Sequence, residues 1–306
     1  GGSTTIRQGW TFIRKAGAQA REMLRTAAAR RWAVEVEECV ARRHAIVNES
    51  SGQTLGYGEL ADEAGALPVP DDPPLKTHDQ YWLVGRDTPR LDLPPKVTGK
   101  HTYGMDLRLP GMLFASVERS PAFQGKVSHF DAAAARAVPG VVDVVEIDGG
   151  VAVVARDTWS AFKGREALKA EFDPGPNANQ SSETLLARGQ EMIQQPGDVE
   201  KAEGDALGAM AGAAKTVEAA YYTPFLDHVP MEPRNATAWV RGDQVEVWAP
   251  TQGATTGQRT AARVAGVPPS NVVFHSLLCG GGFGRRLHDD GIGFARDRRP
   301  GGIDAR

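Results

Sequence analysis

A glycine-rich loop that follows a buried strand constrains this chain more than any other stretch. The apolar run 272–278 is typical of a buried strand, and it leads directly into 279–286, whose sequence is C-G-G-G-F-G-R-R. Glycines lack a Cβ atom, so the backbone can adopt φ > 0 and its N–H groups can approach a ligand closely. The two arginines add bidentate positive charge for phosphate-like oxygens. The loop suits a phosphorylated cofactor, although a plain turn stays open because it matches neither GxGxxG nor GxxxxGK[ST].

The segment before this loop predicts a strand–helix–strand unit. Residues 245–252 alternate apolar and polar side chains like a strand that Pro250 ends, and residues 255–264 predict a helix. The buried strand at 272–278 then leads back to the glycine loop. A polar stretch with several prolines, 227–238, precedes the unit and suits a loop that lines a site.

Three motifs in this order resemble the molybdenum-cofactor domain of the xanthine oxidase family of molybdenum hydroxylases. They are H-x-x-M-E-P-x-N-A-T-A from His228, W-A-P-T-Q from Trp248 and G-G-G-F-G-R-R from Gly280. The arginine pair that follows G-G-G-F-G resembles the sequence at this position in one branch of the family, that of isoquinoline 1-oxidoreductase and related aldehyde dehydrogenase large subunits. Gln252 and Gly280 are 28 positions apart (280 − 252), which is the separation in that family.

The resemblance implies which residues form the site. In the family, the side-chain amide of Gln252 donates to an oxygen on the metal, and Phe283 shapes the loop beside it, so both are implied to be catalytic. Arg285 and Arg286 are implied to contact either the cofactor phosphates or a partner subunit. No protein side chain is implied as a metal ligand. The residues implied to bind the cofactor are Gly2, Ser3, Thr251, Gln252, Gly281, Gly282, Phe283, Gly284 and Arg285.

The start of the chain has two interpretations. Small hydroxyl residues precede a helix predicted from about residue 8 to 29, and such residues act either as a simple N-cap or as an anion site at the helix start. The segment is similar to a Gly-Gly-Ser-x-Ser segment of the family that lines the pterin, and Thr5 retains the last hydroxyl. The resemblance therefore implies that Gly2 and Ser3 contact the cofactor.

The predicted fold class is α+β, with a hammerhead-type α/β domain followed by the start of a molybdenum-cofactor-binding domain. Residues 1–85 are expected to form an N-terminal cofactor-domain segment with a linker, 86–176 the hammerhead domain, and 177–306 the first, truncated part of the molybdopterin-binding domain. Asp131 is expected to cap a helix. In 86–176 the patterns predict strands at 102–107, 112–117, 141–147 and 151–155, and helices at 132–137 and 159–170.

The resemblance implies an oxidoreductase that hydroxylates an aldehyde or an N-heteroaromatic carbon with water. The implied cofactor is molybdenum–molybdopterin in its cytosine dinucleotide form. Cys39 and Cys279 are far apart and lack CxxC spacing, so neither an iron–sulfur cluster nor zinc is expected here. The implied partners are a small [2Fe-2S] subunit and, in some members, a cytochrome c acceptor. Periplasmic and cytoplasmic locations both stay open.

Other classes receive little support from the residues. The net charge of −3 argues against nucleic-acid binding, and no apolar run is long enough for a membrane span. The seven histidines lack metal-binding helical spacing, and no G-x-S-x-G occurs. Glu232 suits a general base or, in our preferred interpretation, a structural residue that caps a helix or binds backbone amides.

Two departures from the family matter for activity. Leu287 stands where xanthine-converting members have a substrate-binding glutamate, so purine specificity is not expected. The family's catalytic base lies near the end of a long C-terminal domain, whereas this sequence ends at Arg306 after an abrupt composition change that follows Ala295. We therefore expect a frameshift or broken gene, weak cofactor binding and marginal stability. The alternative function is a non-catalytic remnant or a fragment that binds a partner subunit.

Overall fold

The computed structural model describes residues 4–287 and combines helices with small sheets. The chain divides into two compact units, Gly1–His101 and Thr102–Arg306. This mixture of helix and sheet confirms the α+β class in its coarse form. The hammerhead assignment and the domain boundaries at 85 and 176 stay predictions. No helix among residues 4–287 is long and apolar enough to cross a lipid bilayer.

In the first unit a long helix packs on a small sheet. Helix α1 ends where Ala33 adopts a left-handed backbone, φ 56°, and strands β1, β2 and β3 pair antiparallel in that order. The core joins Ala28 of α1, Ile46 of the sheet and Leu60 of α2, all without exposed surface. The elements are α1 Thr5–Trp32, β1 Cys39–Arg42, β2 Ala45–Asn48, β3 Thr54–Gly56, α2 Tyr57–Gly65 and α3 Leu93–Val97.

The second unit begins with an antiparallel sheet of order β4-β7-β6 and a separate pair, β5 and β8. Helix α5 approaches the sheet closely because Gly164 has no side chain; a Cβ there would lie 2.7 Å from Val153. Asp131 accepts a hydrogen bond from the amide of Ala134, which confirms the predicted cap of α4. The elements are β4 Phe114–Arg119, β5 Lys126–His129, α4 Ala132–Arg136, β6 Val141–Ile147, β7 Gly150–Ala155, α5 Thr158–Ala167, β8 Glu171–Asp173, α6 Ser182–Met192 and α7 Ala206–Ala211.

The same unit continues with the strand–helix–strand unit that the sequence predicts. Strand β10 pairs antiparallel with β9 and parallel with β11. Val245 and Val247 on β10 pack against Ala261 of α8, which explains the apolar alternation along this strand. The elements are β9 Thr237–Arg241, β10 Gln244–Pro250, α8 Ala254–Ala265 and β11 Val272–Leu277.

One predicted strand in this unit is wrong. At 102–107 the structure has a short 3₁₀ turn, Gly104–Asp106, instead of a strand. Gly104 is buried against the site described below: a Cβ on it would lie 2.3 Å from Asn235 Oδ1 and 2.8 Å from Pro250 Cδ. The turn therefore forms because it packs against these residues, a long-range contact that local periodicity does not report.

Candidate functional site

The site lies where two parallel strands end at the same edge of the sheet. Pro250 at the end of β10 is opposite Leu277 at the end of β11. Because parallel strands point the same way, the residues that follow them emerge side by side. This register brings Thr251 and Gln252 next to the glycine loop.

Gln252 is bound to the loop through both its backbone and its side chain. Its Oε1 accepts hydrogen bonds from the amides of Gly284 at 3.0 Å and Arg286 at 3.3 Å. Its backbone N–H donates to the carbonyl of Arg286 at 3.0 Å, and Thr251 Oγ1 donates to the same carbonyl at 3.2 Å. Since two N–H donors meet one end of the carboxamide, that end must be the oxygen, and Nε2 is the end left to donate to a ligand.

The glycines allow the loop to approach these partners. A Cβ on Gly282 would lie 2.7 Å from Gln252 Oε1, and one on Gly280 would lie 2.5 Å from Glu232 Cβ. Gly284 has φ 98°, a left-handed backbone that side chains disfavour. The positive φ predicted from the sequence is therefore present. The close approach of Gly280 and Gly282 serves contacts within the protein.

Glu232 is a buried carboxylate on which four donors converge. It is 8% exposed. Its Oε2 accepts from the amide of Gly280 at 2.8 Å and from Arg286 Nη2 at 3.1 Å. Its Oε1 accepts from Asn235 Nδ2 at 3.1 Å and from the amide of Met105 at 3.4 Å. The structural role that binds backbone amides, our preferred interpretation of the sequence, matches these contacts.

Arg286 is also buried, at 3% exposure, and its guanidinium is occupied by the chain itself. Nε donates to the carbonyl of Gly281 at 2.7 Å, Nη1 to that of Pro250 at 3.3 Å, and Nη2 to that of Glu232 at 2.6 Å. The guanidinium of Arg286 thus binds within the chain, and the phosphate contact and the partner contact that the resemblance left open for it stay predictions. Its neighbour Arg285 is half-buried, and its role stays a prediction.

The sequence did not reveal this inward role of Arg286. Adjacent residues in an extended or looped segment point different ways, so one arginine of a pair after a buried strand is a candidate for an inward position. The carbonyl partners on Gly281 and Pro250 come from backbone atoms, which carry no sequence signal.

Two further side chains of the loop differ in exposure, those of Cys279 and Phe283. Cys279 is half-buried, and burial raises the pKa of its thiol, with Arg286 opposing the shift and Glu232 adding to it. Phe283 is 74% exposed and has φ 53°. The exposed ring lies on the outer side of a loop whose inner side is taken up by Glu232 and Gln252.

The loop keeps some amides for a ligand. Within the part of the chain that the structure describes, the N–H groups of Gly281, Gly282 and Phe283 donate to no acceptor. Successive backbone N–H groups in a turn of this kind form an anion-binding concavity. Gly2 and Ser3, and everything after Leu287, lie outside the described residues.

Comparisons with known proteins agree with the motifs. A family model described as the molybdopterin cofactor-binding domain matches residues 189–292. The beta chain of isoquinoline 1-oxidoreductase from Brevundimonas diminuta is 32% identical over 90% of this chain and 41% of its own length. The chain belongs to the xanthine oxidase family. The resemblance inferred from the three motifs is thereby confirmed.

Other relatives align over most of the chain. A protein named membrane-bound aldehyde dehydrogenase (pyrroloquinoline-quinone), from Gluconacetobacter polyoxogenes, is 30% identical over 95% of this chain and 39% of its own length. A nicotinate dehydrogenase subunit from Pseudomonas putida is 31% identical over 94% of this chain and 25% of its own length. The chain thus spans between a quarter and two fifths of these three relatives. Quinoline 2-oxidoreductase of Pseudomonas putida 86 superposes over 65% of this chain and 31% of that structure, at 21% identity and a TM-score of 0.49.

Proposed function

We propose that this chain holds the molybdenum–molybdopterin cofactor of an oxidoreductase that hydroxylates an aldehyde or an N-heteroaromatic carbon with water. The observation that carries the proposal is the arrangement beyond β10 and β11. There Gln252 Oε1 is held by the loop amides, while the N–H groups of Gly281, Gly282 and Phe283 have no acceptor among the described residues.

The donor set of the loop fits a pterin with phosphate groups. Backbone amides in a glycine loop are donors for phosphate and pterin oxygens, and they need the close approach that a Cβ would block. When bound, the cofactor supplies the redox chemistry, in which the substrate carbon loses two electrons and gains a hydroxyl group from water. The amides of Gly281 and Gly282 would hold the cofactor, together with Gly284 and Arg285 of the loop and Thr251 beside it.

The side chains would orient and shield the group. Gln252 Nε2 would donate to the ligand, because the loop amides occupy Oε1 at the other end of the carboxamide. Phe283, whose apolar ring is exposed, would exclude water beside the loop once the cofactor is bound. Gly2 and Ser3 would add donors, as the family resemblance implies.

The substrate and partners are part of the same proposal. Relatives named for isoquinoline, nicotinate and aldehyde oxidation support the two substrate classes, and Leu287 speaks against purines. We propose the cytosine dinucleotide form of the cofactor, a small [2Fe-2S] partner subunit and, as an acceptor, a cytochrome c. No contact among the described residues favours the alternative of a non-catalytic remnant.

Molybdenum content tests the proposal. The chain would be produced in a host that makes the cofactor, and molybdenum would be measured per chain beside a Gly282→Ala variant. A Cβ at residue 282 would lie 2.7 Å from Gln252 Oε1 and displace it, so we expect several-fold less molybdenum in the variant. Gly189→Ala is the control, since a Cβ there meets nothing within 4 Å. Equal molybdenum in all three proteins, or none in any, would contradict the proposal.

A further inference from the structure

An ion pair lies buried beneath the glycine loop, outside the set of residues that would touch the cofactor. Glu232 Oε2 and Arg286 Nη2 are 3.1 Å apart, and their side chains are 8% and 2% exposed. Removing two charges from water is costly, and a buried pair is tolerated only when further hydrogen bonds satisfy both partners. Here both partners make further hydrogen bonds, so the buried pair meets this condition.

The pair connects three separate segments. Arg286 donates to carbonyls of Glu232, of Pro250 at the end of β10 and of Gly281 in the loop. Glu232 in turn holds the amide of Gly280. The strand end, the loop and the 232 segment therefore keep one relative position as long as this pair is intact.

Arg286 also fixes the orientation of the Gln252 carboxamide. The backbone N–H of Arg286 donates to Gln252 Oε1 at 3.3 Å, and the Arg286 carbonyl accepts from the Gln252 backbone N–H at 3.0 Å. Since the Arg286 backbone cannot shift without its buried side chain, the orientation of Gln252 depends on the guanidinium and, through it, on Glu232.

On these contacts, and resting on the function proposed above, we propose that Glu232 and Arg286 are positioning residues. They hold the glycine loop so that Gln252 Oε1 is occupied and Nε2 is presented to the cofactor. A carboxylate is required at position 232 because all four of its partners are donors. A glutamine of the same size places an N–H₂ group against donors whichever way it is turned.

Loop order in the cofactor-free chain provides the first test. We would compare Glu232→Gln with Glu246→Gln, a control that removes a partly exposed carboxylate from β10. The rate of Cys279 alkylation would be taken at its high-pH plateau, where changes in the thiol pKa no longer contribute. We expect the plateau rate to rise about tenfold in Glu232→Gln, the effect of losing a charged buried hydrogen bond, and to stay unchanged in the control. Cys39, with no exposed surface, reports unfolding of the first unit.

A spectroscopic signature separates positioning from general stability. The side-chain amide resonance of Gln252 should move toward that of an exposed glutamine in Glu232→Gln, while hydrogen exchange in β4, β6 and β7 stays at the wild-type rate. An unchanged Gln252 resonance and Cys279 plateau would overturn the proposal, as would faster exchange throughout the second unit. Arg286→Lys is the second variant if Glu232→Gln does not fold. Lysine keeps the charge but lacks the guanidinium that donates to three carbonyls, so we expect the same changes in the Gln252 resonance and the Cys279 plateau rate.

These readouts need neither cofactor nor turnover. Absence of molybdenum in the wild-type chain would overturn the proposed function, while the loop measurements would still report whether Glu232 and Arg286 hold the glycine loop. Conversely, an unperturbed loop in both variants would overturn the positioning role and leave the cofactor proposal to its own test.

Discussion

At the scale of single residues, the atoms that can bind a ligand are those that make no hydrogen bond within the protein. The family resemblance implied that Gln252 and the glycines share one site, and the parallel pairing of β10 and β11 brings them together. The sequence did not predict that Arg286 turns inward, since its acceptors are backbone carbonyls. The predicted contacts of Gln252, Phe283, Thr251 and Arg285 with a cofactor stay predictions.

The Cys279 thiol should react slowly near neutral pH. Burial raises its pKa, so less thiolate is present at a given pH than for a thiol with an ordinary pKa, and the thiolate is the reactive form. We expect alkylation to accelerate with pH beyond the range in which an exposed cysteine has reached its plateau. Mass spectrometry of the peptide that contains Cys279, over a pH series, measures this. A rate that is already half of its plateau value at or below pH 8.5, about the pKa of a free cysteine, would contradict the prediction.

At the scale of elements, the helices and strands with a buried apolar face were predictable, and the exposed strands were not. The predicted positions of β6 and α8 agree with the structure because each carries the apolar period of its own element. Strand β5 escaped prediction because Val127 is its only partly buried residue and its pairing partner, β8, is distant in sequence. Strand β9 is exposed along nearly its whole length, so it shows no alternation.

The start of α5 should make stability depend on acid pH. Asp157 accepts hydrogen bonds from the amide and hydroxyl of Ser160, both at 2.8 Å, and these lower the pKa of its carboxyl. A group with a lowered folded-state pKa adds stability above its unfolded value, near 3.9, and loses it as the pH falls through the folded value. Wild type should therefore have a higher thermal midpoint than Asp157→Asn at pH 6, with the difference shrinking below about pH 4.

The asparagine variant is a matched comparison for this effect. It keeps the size of Asp157 and one of its two acceptor oxygens but carries no charge. The change of the midpoint difference with pH therefore reports the ionisation of Asp157. A difference that stays constant from pH 7 to pH 3, about one unit below the ordinary carboxyl value, would show that ionisation of Asp157 contributes nothing.

At the scale of the whole chain, one stretch exposes many large apolar side chains. The stretch 213–230 contains no helix or strand, and it exposes a series of large side chains. The chain also spans no more than about two fifths of the relatives it matches. The exposed side chains of this stretch are Val217 at 84%, Tyr221 at 93%, Phe225 at 85%, Leu226 at 81% and Val229 at 72%.

Such a surface predicts self-association. Monomeric soluble proteins rarely expose contiguous apolar patches of more than a few hundred Å², because apolar surface leaves water on contact with another copy. We expect the purified chain to associate as concentration or sulfate rises, measured by light scattering, and to bind a hydrophobic dye. Phe225→Ser with Leu226→Ser should reduce both signals. Leu91→Ser, at a residue 95% exposed in the first unit, is the control and should have less effect. Association that is equal in all three proteins would show that the stretch 213–230 is not its source.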